Sequence, residues 1–273
     1  MNPIFQKFIS VHGTQFSVIF FAGIFFITWN LENVIGIFID YKKWRHAFLN
    51  APFIFTNIPG QLLMGWIFAK VILWTGMHHF GFLYLLPLQH SPLLLFVITF
   101  TFLDFGEYLY HVIMHKVSRL WMFHLVHHSD PIMDVSTTLR EHPGENLIRL
   151  SFTLVWVLLS GATIWVLILR QIIQTFFTTF SHMNYRLPSK TDAVIGSIFV
   201  TPNLHRVHHH YQQPFTDSNY GDVLSIWDRL FGTLSRLPEE DLVFGVDTHM
   251  SASENGNFKS LLKMPFGKYR RKK

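Results

Sequence analysis

Residues 147–180 read L-I-R-L-S-F-T-L-V-W-V-L-L-S-G-A-T-I-W-V-L-I-L-R-Q-I-I-Q-T-F-F-T-T-F. One helix crossing a bilayer needs about 20 apolar residues, and this run of roughly 34 is too long for one crossing. Gly161 stands in its middle, so the run predicts a hairpin of two short helices turning near Ser160-Gly161-Ala162. Arg170 sits in the second arm, where a charge must snorkel or point into protein. A hairpin enters and returns, so the residues before Leu147 and after Phe180 are expected on one side of the membrane.

Three more stretches upstream could enter a bilayer. They are Phe16 to Ile39, Ile54 to Trp74, and Phe82 to Leu103, the last broken by Pro87, Gln89, His90 and Pro92. The loop after the first carries Lys42, Lys43 and Arg45, whereas Thr75 to Gly81 after the second carries no Lys or Arg. The positive-inside rule places the first loop in the cytoplasm. Three crossings then return Asp104 to the cytoplasmic side, and the hairpin leaves residues after Phe180 there too. The fold class expected is an all-α integral membrane protein. It has about four to five membrane helices including the short hairpin, under a cytoplasmic, helical, His-rich cap.

Composition agrees. The 273 residues are 49% hydrophobic and 14% charged, against about 25% charged in a soluble domain. The mean hydropathy is +0.27. There is no Cys, which excludes disulfide scaffolds, thiolate zinc sites and iron–sulfur clusters. The net charge of +5 is concentrated at the end, in Lys259, Lys263, Lys268, Arg270, Arg271, Lys272 and Lys273. The rest is close to neutral, so no nucleic-acid partner is expected. A basic tail suits an anionic cytoplasmic lipid face, or is simply solvated. Met1 to His12 lacks the basic region and small-residue site of a cleavable signal peptide.

The remaining anomaly is 17 His. Residues 111–115 read H-V-I-M-H, residues 124–128 read H-L-V-H-H, and residues 205–209 read H-R-V-H-H. On a helix, residues three and four apart share a face. The spacing therefore predicts that His111 with His115, then His124 with His127 and His128, then His205 with His208 and His209, each converge on one point. Eight or more imidazoles suggest two cations, each taking roughly four or more ligands. All-imidazole ligation suits Fe, Zn or Cu. Asp104 and Tyr108 precede His111 on the same stripe and are expected to orient rings from behind. Asp222 and Asp228 are expected to orient rings or to serve the structure rather than to bind metal. Isolated histidines (His12, His46, His78, His79, His90 and His249) are read as solvated or core residues, and His210 is left open. Arg140 and Glu145 flank His142 and read as a salt bridge or a helix start.

At these residues the sequence resembles the fatty acid hydroxylase superfamily, and most closely its sterol desaturase branch. The resemblance runs from about Leu103 to Leu234. Its markers are Asp104, Tyr108, His111 and His115; Leu120-Trp121 with His124 to Asp130; Arg140, His142-Pro143 and Glu145; Ser181-His182 with Asn184; Thr201-Pro202; His205 to His209; Asn219-Tyr220-Gly221; and Trp227 to Thr233. Val112 and Leu125 stand where the family usually has Arg, and neither is a ligand position. The resemblance implies metal ligands at His111, His115, His124, His127, His128, His182, His205, His208 and His209, with His142 as a tenth. It implies two Fe ions, with O2 as co-substrate and zinc competing for the imidazoles on overexpression. The implied reaction is hydroxylation or desaturation of an unactivated C–H bond of a lipid (sterol, fatty acyl or related), with electrons from a separate electron-transfer protein. Three regions follow: N-terminal membrane helices (1–103), the hydroxylase-like catalytic region (104–240) with the hairpin at about 147–180, and a basic C-terminal tail (241–273).

Two other classes compete with this reading. A His-rich metal transporter would line a path through its spans with ionisable residues, whereas most histidines here lie beyond the expected span ends. A non-catalytic membrane scaffold with a structural metal site would share the ligands and lack turnover.

Overall fold

A computed structural model describes residues 3–37, 40–88 and 91–270. Phe38 and Ile39 of the first expected span, Gln89 and His90 of the third, and Arg271, Lys272 and Lys273 of the tail lie outside the described residues. The chain is helical, and among the described residues the only β pairing is two isolated bridges, Phe199 with Leu224 and His210 with Phe244.

Helix α1 (Pro3–Ile35) starts well before the expected Phe16, because the polar residues of its first turns do not interrupt the helical run. A short α2 (Lys43–Asn50) leads into α3 (Pro52–His78), which contains the second expected span. The third expected span is displaced. Residues 82–85 form one 3-10 turn, and α4 begins only at Pro92 and continues to Lys116. Proline suits the first helical turn and disfavours helix at the residue before it, so Pro87 and Pro92 set the start. His111 and His115 thus occupy the last turns of a membrane helix, and the expected 103/104 division falls inside it.

After α4 come α5 (Ser118–His128), α6 (Pro143–Ser160) and α7 (Ile164–Ser181). The last two are the arms of the expected hairpin. Gly161 ends α6 in the left-handed region, at φ +71°. A Cβ there would also come within 2.4 Å of the Phe80 carbonyl, so only glycine fits the turn. Short helices α8 (Ser189–Ile195), α9 (Pro202–His208), α10 (Ile226–Leu230), α11 (Ala252–Asn255) and α12 (Phe258–Lys263) complete the chain.

Among the described residues, four segments are long and apolar enough to cross a membrane: Ile4–Ile35, Lys43–Leu85, Pro92–Lys116 and Ile164–Ser181. The first arm of the hairpin is less apolar, because Glu145, Asn146 and Arg149 occupy its opening turns. Exposed Phe26, Leu62, Trp66, Leu93 and Val155 show how much apolar surface these helices leave for lipid. With such surfaces the protein is an integral membrane protein.

Inside, α1 lies along α7. Gly13 permits their close approach, since a Cβ there would come within 2.3 Å of Ile168. Ile9 packs with Trp165 and Val166 beside it. Arg170 points into protein, donating to Glu107 of α4 at 2.9 Å, and both residues are buried. Glu107 also accepts from Thr153 of α6 at 2.8 Å, so one carboxylate ties three helices together.

The cytoplasm-expected cap is knitted to α1 and α2. Glu32 accepts from the backbone N–H of Val135 and Asn184 at 2.8 and 2.7 Å and pairs with Lys43. His46, read as an isolated histidine, is a satisfied core residue whose ring lies between Asp130 and Asp134. The C-terminal segment is more than a tail. Val246, Leu261 and Met264 are buried against Trp121, Met122, Leu125 and Val126 of α5, because apolar residues are interleaved with its lysines.

Candidate metal centre

Among the described residues, nine histidines meet between the C-terminal ends of α4 and α7 and the short helices α5 and α9, in two groups. His111, His115, His124, His128 and His208 form one, and His127, His182, His205 and His209 form the other. Within each group the nitrogens offered lie within 4.8 Å of one another. The expected sharing is corrected here: each H-x-x-H-H triplet is split between groups instead of serving one point. On α5, His124 and His128 are one turn apart and face the first group, while adjacent His127 is turned by about 100° toward the second. On α9, His208 faces the first group, and His205 with His209 faces the second. The groups adjoin, with the rings of His128 and His209 stacked at 4.4 Å between centroids.

The rings are held from behind by acceptors. His111 Nδ1 donates to the Tyr220 carbonyl at 2.9 Å, His208 Nδ1 to the Ser218 carbonyl at 2.6 Å, and His182 Nδ1 to the Thr178 carbonyl at 2.7 Å. His124 Nδ1 lies 2.5 Å from a Glu145 oxygen, and His115 Nδ1 lies 3.2 Å from an Asp217 oxygen. A carbonyl can only accept, so each such Nδ1 carries the proton and the Nε2 is a bare lone pair. In the first group two such lone pairs face each other, Nε2 of His111 and His124 standing 3.0 Å apart. In the second, the bare Nε2 of His182 stands 3.1 Å from Nε2 of His127 and 3.0 Å from Nε2 of His205.

Without a cation, such facing lone pairs would repel. Two imidazole nitrogens held at right angles about 2.1 Å from one cation stand about 3.0 Å apart, which matches these spacings. His205 Nδ1 and His209 Nε2 are buried with no hydrogen-bond partner among the described residues. The donor set, all imidazole and no thiolate, fits a borderline transition metal. Burial holds the rings of His127, His128, His205 and His209 well below the usual histidine pKa, reinforced by neighbouring histidines, and holds His182 at about 4. They are therefore neutral near pH 7, as ligation requires.

The other expected residues are placed differently. His142 is not brought to either group. It caps α6, its Nδ1 accepting from the Gly144 N–H at 3.0 Å while Nε2 donates to the Leu262 carbonyl at 3.2 Å, so both ring nitrogens are engaged. Asp104, Tyr108, Asp222 and Asp228 bond to no metal-facing ring. Asp104 accepts from Val223 and Leu224 N–H and Trp227 Nε1, Tyr108 bonds Thr233, and Asp222 accepts from Gln174. Asp228 accepts from the N–H groups of Tyr220 and Gly221, so it fixes the loop whose carbonyl holds His111. Sequence reasoning missed Asp217 and the three carbonyls as ring holders. Backbone acceptors leave no mark in a sequence, and Asp217 has no helical spacing to any histidine. Glu145 reads from the sequence as part of a salt bridge or a helix start, and the structure adds that it holds His124. His210 stays outside, with Nδ1 accepting from Val243 N–H.

The Fatty acid hydroxylase family pattern matches residues 96–233, which contain all nine histidines and their holders. The chain belongs to the fatty acid hydroxylase family. Within it, the chain is 30% identical over 169 residues to the ornithine lipid hydroxylase OlsE of Rhizobium tropici, covering 62% of this chain and 49% of that protein. It is 29% identical over 181 residues to the alkylglycerol monooxygenase of Danio rerio, covering 66% of this chain and 38% of that protein. The human alkylglycerol monooxygenase is 30% identical over 151 residues, 54% of this chain and 31% of the relative. The chain thus matches between about a third and a half of these relatives' lengths. No solved structure matches.

Proposed function

We propose that this family member is an oxygen-dependent membrane lipid hydroxylase whose two histidine groups each hold one iron ion. The observation that carries the reading is the convergence of nine imidazoles in two adjoining groups, with the bare Nε2 lone pairs of His111 and His124 facing each other at 3.0 Å. The five ligands of the first site are His111, His115, His124, His128 and His208, and the four of the second are His127, His182, His205 and His209. When bound, an iron pair supplies oxygen activation for attack on an unactivated C–H bond. Electrons come from a separate donor protein. The printed activities of the relatives, a lipid hydroxylase and alkylglycerol monooxygenases, favour hydroxylation over desaturation. The positive-inside count supports a cytoplasmic site and C-terminus.

The chain's own residues prepare the site. The Tyr220, Ser218 and Thr178 carbonyls and the Glu145 and Asp217 carboxylates hold five of the nine rings, so those five need not reorient on loading. The Glu107–Arg170 pair fixes α4 against α7 and so fixes His111 relative to His182. Burial of both groups keeps bulk water from the nitrogens.

The test is a lipid turnover assay on purified protein in nanodiscs with a supplied reductant. A hydroxylated product that needs dioxygen, and that disappears in His127→Ala and His208→Ala, is expected. Undiminished product from either variant would overturn the reading.

A further inference from the structure

Two short segments outside the four spans carry large apolar side chains on the surface. Val194 of α8 and Ile198 just after it are 73% and 50% exposed, and Leu230 and Phe231 at the end of α10 are 70% and 51% exposed. The segments form one unit. Ser225 Oγ donates to the Gly196 carbonyl at 2.7 Å, Arg229 donates to the same carbonyl at 2.6 Å, and Phe199 pairs with Leu224. The unit lies against two spans. Phe231 stacks on Phe105 at 5.8 Å between centroids, near the middle of α4, and Trp227 Nε1 donates to Asp104 at 2.8 Å. Phe199 stacks on Phe177 of α7 at 4.9 Å. Phe105 precedes His111 by six residues and Phe177 precedes His182 by five. At 1.5 Å per helical residue, these contacts lie about 7 to 9 Å from the histidines, toward the middle of the spans. Lipid-facing surface occurs at the same level on α6, where Val155 is exposed beside Trp156, which packs on Phe105.

The exposed charges around this patch have one sign. Within residues 189–199 and 224–236, Lys190, Arg229 and Arg236 are exposed, whereas the two carboxylates, Asp192 and Asp228, are buried. A contiguous apolar patch rimmed by polar groups marks a contact surface. Acyl chains answer the four apolar side chains, and anionic phosphates answer the cations. Long Lys and Arg stems can lie along apolar surface while their charged ends reach the headgroups. A soluble partner would have to displace lipid to reach this level of α4 and α7.

We propose that the α8–α10 unit is an in-plane membrane ledge, with Val194, Ile198, Leu230 and Phe231 sunk among the acyl chains of the nearer leaflet and Lys190 and Arg229 at its phosphates. The ledge brackets α9, which carries His205, His208 and His209. Asp192 accepts from Thr201, the N-cap of α9, at 2.6 Å. Asp228 accepts from the N–H of Tyr220, whose carbonyl holds His111. The leaflet thus supports the histidine-bearing segments from the bilayer side. The inference needs the integral membrane fold alone and is independent of the reaction the site performs.

The chain contains no Cys, so one introduced thiol reports one place. Val194→Cys, Ile198→Cys and Leu230→Cys are labelled with a nitroxide in nanodiscs of phosphatidylcholine and phosphatidylglycerol. Val155→Cys on α6 and Glu240→Cys, both exposed positions, serve as the lipid and water references. Electron paramagnetic resonance reads collisions with O2, which concentrates among acyl chains, and with a water-soluble nickel chelate. The three ledge labels should behave like the label at Val155→Cys, open to O2 and shielded from nickel, with an O2-to-nickel ratio several times that at Glu240→Cys. A second arm uses the unsubstituted chain, in nanodiscs doped with a phospholipid that carries a diazirine midway along an acyl chain. Irradiation and peptide mapping should find adducts at residues 194–198 and 230–231 as well as on the spans. Ledge labels open to nickel, or adducts confined to the spans, would overturn the proposal. Labels shielded from both O2 and nickel would assign the face to a protein contact, with a second copy or another partner, and would overturn it equally.

Discussion

Nδ1 of His124 and Oε1 of Glu145 stand 2.5 Å apart, both buried, joining the last part of α5 to the first turn of α6. The carboxylate leaves His124 Nε2 bare at the centre of its group, 3.0 Å from His111 and 3.2 Å from His128. An acceptor behind a ligating ring fixes its tautomer and raises its basicity. Glu145→Gln should therefore lower iron affinity or activity by about 10- to 100-fold in a folded protein. Metal titration followed by far-UV circular dichroism checks this, and an unchanged affinity would show that Glu145 serves only the helix start.

The Arg170–Glu107 pair makes a stability prediction. Removing one partner of a buried ion pair leaves an uncompensated charge and costs about 3–5 kcal/mol. Arg170→Leu should lower the thermal midpoint strongly. Arg170→Leu combined with Glu107→Leu should recover part of the loss, because a matched apolar pair leaves no buried charge. A double variant less stable than the single one would contradict the pairing.

The histidine groups make a pH prediction. The folded pKa values of His127, His128, His205 and His209 lie below the ordinary value of about 6.5, and that of His182 at about 4, so the folded state favours these rings in the neutral form. That contribution to stability is complete above pH 6.5 and is lost as pH falls toward 4. Metal-free protein should thus lose stability between pH 6.5 and 4, and iron should push the loss to lower pH by competing with protons. Melting curves with and without iron across this range check the sign. Stability that rises on acidification would contradict it.

How much of this was legible in sequence varies by feature. The hairpin was readable because length and Gly161 are local facts, and the Arg170 charge announced that it must face protein. The nine histidines were readable because three-and-four spacing is a helical signature. Their division into two groups was not, since it depends on where α4, α7 and α9 approach α5. The start of the third membrane helix was misplaced because apolar residues 82–88 resemble a span until the two prolines are given their full weight. His142 resembled a ligand by type and position, and only tertiary contact with Leu262 shows its ring already engaged.

The central claim is two cations in two distinct histidine groups. Iron counting on purified protein, wild type beside His208→Ala and His205→Ala, tests it most directly. Two irons per chain, with about one lost in each variant and nitrogen-dominated coordination by X-ray absorption, is the result expected. One iron or none in the wild type, or both variants keeping two, would contradict it.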